Sequence, residues 1–251
     1  MRIYLAGRVA IEHAGALVDQ NAFGGRQAVL TFARLLAPPH AAVSRQALAA
    51  ALWDETPPRA WDTALHAIVS KLRGVLARAG LPKADAVRSA LGCYQIGLPT
   101  DAWVDLQAAA EALHAAEGAL KAARPRDAWS HAQVAYHVLK RPFLAGESGG
   151  WATQMRERLA GGQARACECL AEAYAWNGEP DLAVDLARQA VAAQPFRESS
   201  HRALMRAHLG AGNRAEALLA YERCRALISE ALGVSPGADT EALYLEVLRA
   251  R

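Results

Sequence analysis

Between Arg59 and Ala79 the apolar residues Trp61, Leu65, Ile68, Val69, Leu72, Val75 and Leu76 recur at i, i+3, i+4 and i+7. That stripe predicts one long amphipathic helix over the segment. Ahead of it, Val29, Phe32, Leu35 and Leu36 predict a helix that starts after Gly24-Gly25 and is ended by Pro38-Pro39. Ser44 is placed to cap a further helix running through Leu52-Trp53 to the turn at Pro57-Pro58. Short apolar runs from Arg2 to Val18, punctuated at Gly7 and Gly15, predict two or more strands. Behind the long helix, Ala86 to Ile96 reads as two short strands around a turn containing Gly92. Leading strands, three helices and a closing hairpin together point to a winged helix.

Past Pro99-Thr100-Asp101 the strand signals stop, and Thr100 or Asp101 is expected to cap a long helical segment beginning at Ala102. Leu170, Ala171, Tyr174, Gly178, Ala183, Ala187, Ala190 and Pro195 have the spacing of a tetratricopeptide repeat, in which small residues let two antiparallel helices touch. Thirty-four residues on, Met205, His208, Gly212, Ala217, Tyr221 and Cys224 take the same roles. A weaker earlier copy holds Ala116, Ala128, Ala132 and Ala135, and the segment from Arg141 to Gly150 is an insertion before the next repeat. Asp239 to Arg249 is expected to cap the stack. The expected fold is therefore mainly α with a small β component: a winged helix over residues 1–100, then an α-helical tetratricopeptide-like repeat superhelix over 101–251.

Composition sharpens that division. Alanine supplies 59 of 251 residues, 22 of them before residue 101 and 37 after it, so the later helices pack through small side chains. The net charge of +3 splits into 11 Lys+Arg against 6 Asp+Glu in residues 1–100 and 17 against 19 in the remainder. A basic end joined to a slightly acidic one fits a nucleic-acid reader attached to a partner-binding stack, although a modest excess of this kind also occurs in enzymes. No apolar run approaches a membrane span, and Met-Arg-Ile-Tyr-Leu opens without a signal-peptide layout, so a cytoplasmic protein without a membrane partner is expected.

The polar face of the long helix carries Thr63, Ala67, Ser70, Lys71, Gly74 and Arg78. Small side chains let a helix approach the floor of the major groove, Lys or Arg reaches guanine O6 and N7, and Ser donates to bases or phosphates. Arg59, Arg73 and Arg78 on the flanks can hold phosphates, and Arg88, near the expected hairpin tip, can enter a minor groove or touch phosphate. Taken alone, the same face also reads as a solvated surface with incidental cations.

Two ordered sets of motifs carry a family resemblance. In the first half these are Ala51-Leu52-Trp53-Asp54-Glu55-Thr56-Pro57-Pro58, then Ala64-Leu65-His66-Ala67-Ile68-Val69-Ser70-Lys71-Leu72-Arg73, then a wing ending in Tyr94. In the second half they are Ala217-Leu218-Leu219-Ala220-Tyr221 and Leu232-Gly233-Val234-Ser235-Pro236-Gly237. The chain resembles the antibiotic regulatory protein (SARP) family of bacterial activators, with a response-regulator-type DNA-binding domain followed by a bacterial transcriptional activator domain. The resemblance implies a regulator that binds direct repeats in double-stranded promoter DNA, contacts RNA polymerase and switches on a biosynthetic gene cluster. It also implies self-association on the repeated sites. By position, Ser70, Lys71 and Arg73 match the recognition helix, Arg88 the wing arginine, and Trp53 the tryptophan closing the second helix. The chain departs from the family at Lys71 and Gly74, where arginines are usual, and in a longer wing turn, Ser89-Ala90-Leu91-Gly92-Cys93. Lys lacks the bidentate fork of Arg, so base preference is expected to differ.

Other chemistry finds little support. His131 with His137, and His201 with His208, are spaced wrongly for adjacent metal ligands on one helical turn, and the four cysteines form no C-x-x-C pair, so reduced thiols are expected. Cys167 and Cys169 are expected to pack in the core with one edge exposed. Gly24-Gly25-Arg26 lacks the remainder of a phosphate loop, and no nucleophile elbow or kinase signature is present. We therefore expect no enzyme, no cofactor, and no receiver, ATPase or phosphopeptide-reading domain within these residues. Arg141, Arg156, Arg158 and Arg165 are weak candidates for collecting an anion, and a small ligand in the helical domain is left open. The alternative reading is a helical-repeat adaptor or ligand sensor that uses its winged helix for protein contacts.

Overall fold

In a computed structural model, which describes residues 1–38, 41–82 and 86–250, the leading apolar runs form strands β1 (Arg2–Tyr4), β2 (Ala10–His13) and β3 (Ala16–Asp19). Ile3 lies opposite Ile11 across the antiparallel β1–β2 pair, and both side chains are buried. A short 3-10 turn, Gln20–Phe23, leads into α1 (Arg26–Leu36), where Ala28 and Leu30 take core positions and Val29 is half-buried. Strand β4 (Val43–Ser44) precedes α2 (Arg45–Trp53), and the Ser44 hydroxyl accepts from the Ala47 N–H at 3.1 Å as an N-cap. The periodic segment is α3 (Trp61–Arg78), which buries Leu65, Ile68, Val69, Leu72, Val75 and Leu76. Strands β5 (Arg88–Ala90) and β6 (Cys93–Gln95) form the hairpin, in a sheet of order β4-β6-β5.

Three expectations change here. The hairpin turn is only Leu91-Gly92, because Ser89, Ala90 and Cys93 are already paired in the strands. The turn therefore supplies no lengthening of the wing. Strand structure also continues past residue 100: β7 (Trp103–Val104) pairs parallel with β1, giving the order β3-β2-β1-β7. That pairing keeps the chain extended where a helix from Ala102 was expected. The helix α4 (Asp105–Lys121) begins three residues later, at Asp105, with neither Thr100 nor Asp101 as its cap.

By packing, the chain forms two units. The first contains Met1–Ala108 and Arg141–Arg158, and the second contains Ala109–Lys140 and Leu159–Arg251. The segment read as an insertion between repeats thus returns to the first unit. Gly7 N–H donates to the Pro142 carbonyl at 2.8 Å, Ala6 bridges to Phe143, and Phe143 and Leu144 are buried.

The second unit is built from helical hairpins. After α4 come α5 (Pro125–Leu139), α6 (Gly150–Trp176), α7 (Pro180–Ala193), α8 (Glu198–Gly210), α9 (Arg214–Leu232) and α10 (Ala238–Arg249). Ala116, Ala128, Ala132, Ala135, Ala183, Ala187, Ala190, Ala217 and Cys224 are all fully buried, as the repeat spacing requires. Gly178 and Gly212, 34 residues apart, turn with φ of 76° and 72°, and Ala123 adopts 53° at the corresponding turn after α4. Tyr244 on α10 stacks on Tyr221 of α9 at 3.9 Å, closing the last hairpin. The fold is thus mainly α with a small β component, a winged helix followed by a tetratricopeptide-like stack.

Candidate nucleic-acid interface

The amphipathic pattern that buries one side of α3 turns the other outward. Thr63, His66, Ala67, Ser70, Lys71 and Arg78 are exposed, and Gly74 is half-buried. Thr63, Ala67, Ser70 and Gly74 fall within an arc of about 60° on this helix. Arg59 is exposed in the turn before α3, and Trp53 is the half-buried last residue of α2. The Trp53 carbonyl accepts from Thr56 N–H at 3.1 Å and from Thr56 Oγ1 at 3.3 Å, so its backbone shapes the turn toward α3.

The cations do not form one uniform set. Lys71 Nζ donates to the Gly24 carbonyl, and Arg78 Nη2 donates to the Ala22 carbonyl at 3.1 Å, so both reach back over the 3-10 turn from exposed positions. Arg73 is half-buried, and its Nε and Nη2 donate to the Val87 carbonyl at 3.1 and 2.8 Å. That fork holds the start of the hairpin against α3. Arg88 is exposed at the beginning of β5, opposite Gln95, rather than near the tip, which is Leu91-Gly92.

Two residues passed over by sequence reasoning complete the surface. Arg45 Nη2 contacts the Asp62 carboxylate and lies 3.2 Å from His66 Nε2, tying the start of α2 to the first turn of α3. His66 occupies the edge of the exposed face, and the same helical projection that selected Thr63 and Ser70 was enough to find it.

Gly74 has open space around the position a Cβ would take. A glycine inside a helix costs about 0.5–1 kcal/mol relative to alanine. Gly74→Ala is accordingly expected to raise stability by about that amount, read as a higher urea midpoint at unchanged slope. A lower midpoint would contradict the open environment.

Elsewhere, three of the four arginines considered for an anion site are already engaged, and Arg141 is exposed. Arg156 donates to the carbonyls of Phe143, Leu144 and Glu147, Arg158 donates to the Pro38 carbonyl, and Arg165 forms a two-pronged pair with Glu117 at 2.6 and 2.7 Å. Cys167 and Cys169 are both buried, with no exposed edge, because Ala164, Ala166, Leu170, Ala171 and Ala173 are buried around them and show α6 covered on more than one face. Burial pushes both thiols up to about 12. All four cysteines are free. Among the described residues no helix is long and apolar enough to cross a membrane, and no group of three or more His, Cys, Asp or Glu converges on a metal position.

Comparison with known proteins adds to this geometry. Residues 104–248 match the family described as bacterial transcriptional activator domain. The chain is 28% identical over 218 residues to the transcriptional regulatory protein MoaR1 of Mycobacterium bovis, covering 86% of this chain and 70% of that one. It is 30% identical over 200 residues to the regulatory protein AfsR of Streptomyces coelicolor, covering 80% of this chain but 20% of AfsR. The solved structure of Mycobacterium tuberculosis EmbR with a low-affinity phosphopeptide superposes with a TM-score of 0.86 at 25% identity, over 99% of this chain and 65% of EmbR.

Proposed function

Because the chain belongs to the bacterial transcriptional activator domain family, whose relatives here are transcriptional regulators, we propose that it is a sequence-specific DNA-binding activator. In this reading α3 enters the major groove of promoter DNA. Ser70 and Lys71 address base edges, Thr63 and Ala67 allow close approach, and Arg59 and Arg78 meet phosphates on either side. Arg73 acts as a positioning residue that holds the hairpin, Trp53 supports the turn into α3, and Arg88 lies along the wing toward the adjacent backbone. The helical stack contacts RNA polymerase, and protomers occupy direct repeats side by side, with a biosynthetic gene cluster as the regulated target.

The observation that carries this reading is the outward face of α3. Small and hydroxyl side chains line its centre, exposed Lys71 and Arg78 border them on one side, and a firmly held hairpin is its neighbour. Purified protein incubated with sheared genomic DNA is expected to enrich one repeated motif. Its affinity should fall with salt along a log–log slope equivalent to several phosphates. Capture without a common motif would overturn the reading and leave the protein-adaptor alternative.

A further inference from the structure

Leu91 is 102% exposed at the hairpin tip and holds φ at 49°. With Gly92 at 74° it forms the two-residue turn between Ala90 and Cys93. That first turn position favours Asn, Asp or Gly, since a larger side chain resists positive φ. A leucine there departs from the turn's own preference and buries nothing within the described fold.

The tip is nevertheless rigidly presented. Val87, Tyr94 and Ile96 are buried beneath the hairpin, Arg73 clamps the Val87 carbonyl, and Arg45 N–H donates to the Gly92 carbonyl at 3.0 Å. Around Leu91 stand Ser89, Ala90 and Gly92, all small and exposed. From Arg88 to Gln95 the hairpin contains one arginine and no carboxylate. A slender, carboxylate-free tip with one projecting apolar side chain can pass between phosphate walls and press an apolar group onto a base step, the action of a minor-groove wedge.

We propose that Leu91 is such a wedge: it enters the minor groove beside the segment read by α3 and partly unstacks one base step, bending the duplex. This rests on the DNA-binding reading above and adds a residue that selects for deformable steps rather than for base edges.

The test uses the full chain with a DNA fragment recovered by genomic selection. Leu91→Asn suits the turn and is expected to melt no lower than the parent. It should bind at least about fivefold more weakly, a loss of the size expected for a base contact, with an unchanged salt slope. The bend read by end-to-end energy transfer should disappear, as should the rise on binding in the fluorescence of a 2-aminopurine placed at the wedged step. Leu91→Met, which keeps an apolar side chain, should retain the bend. If the parent binds and bends the fragment and Leu91→Asn does so equally, the wedge is overturned while the DNA-binding reading stands. A variant that lowers the salt slope without changing the bend also overturns it, because Leu91 would then be affecting backbone contacts only. If the parent recovers no motif, both proposals fall together.

Discussion

Replacing Asp105 with alanine lowers stability by about 3–5 kcal/mol, the loss expected when several buried donors lose an ionic acceptor. The side chain is fully buried. One carboxylate accepts from Leu5 N–H at 3.0 and 2.9 Å, from Ala6 N–H at 2.9 Å and from Leu106 N–H at 2.7 Å. It therefore joins the strand end after β1 to the start of α4, where β7 has just paired. Asn keeps one acceptor oxygen, so Asp105→Asn should lose less. Burial pushes the Asp105 carboxyl above its ordinary value, against the lowering effect of these N–H groups and of Arg141. Between the unfolded and the higher folded value, the folded chain holds the proton more tightly, so this group's contribution falls as pH rises through that window. Urea unfolding across the acid range should show the slope in the parent and lose it in Asp105→Asn. An unchanged midpoint for Asp105→Ala would refute the role.

Charge reversal at Lys71 separates reading from scaffolding. Lys71→Glu is expected to weaken binding to the selected promoter fragment by about 100-fold, since it removes a cation and places a carboxylate against phosphate. Its exposed side chain gives up a single bond to the Gly24 carbonyl, so stability should change by no more than about 0.5 kcal/mol. Arg73→Ala behaves differently. Losing both donors to the Val87 carbonyl should cost about 1.5–3 kcal/mol and loosen the hairpin, with weaker binding as a secondary effect. Anisotropy titrations at two salt concentrations beside urea unfolding distinguish the two. Promoter affinity unaffected by Lys71→Glu would remove α3 from the interface.

The elements legible in the chain were those with local causes. Ser44 caps α2 through a residue three positions away, the stripe of α3 repeats within single turns, and Gly178 and Gly212 mark the helical hairpins at a fixed interval. What escaped depends on distant partners. Two residues, Trp103 and Val104, become a strand only because Arg2 and Ile3 lie beside them, and that displaces the helix start to Asp105. On the outward face of α3, the sequence places the cations but not their engagements. Arg73 reads in the sequence as a phosphate contact, and its bonds to the Val87 carbonyl depend on a residue 14 positions away; Arg88 reads as a tip residue, and the Leu91-Gly92 turn places it at the start of the strand.

The return of Arg141–Arg158 to the first unit has a consequence for how such a regulator is inherited. The bond from Gly7 to Pro142, the bridge from Ala6 to Phe143 and the ion pair between Arg26 and Glu147 all join the amino-terminal hundred residues to a segment encoded much later. A recombination event that exchanges only the first hundred codons would bring in a reader whose closing segment was shaped by a different ancestor. Exchanging the first 158 codons would keep those bonds together, yet it would part the α4–α5 hairpin from its own unit, where Glu117 pairs with Arg165 and Tyr136 with Gln189.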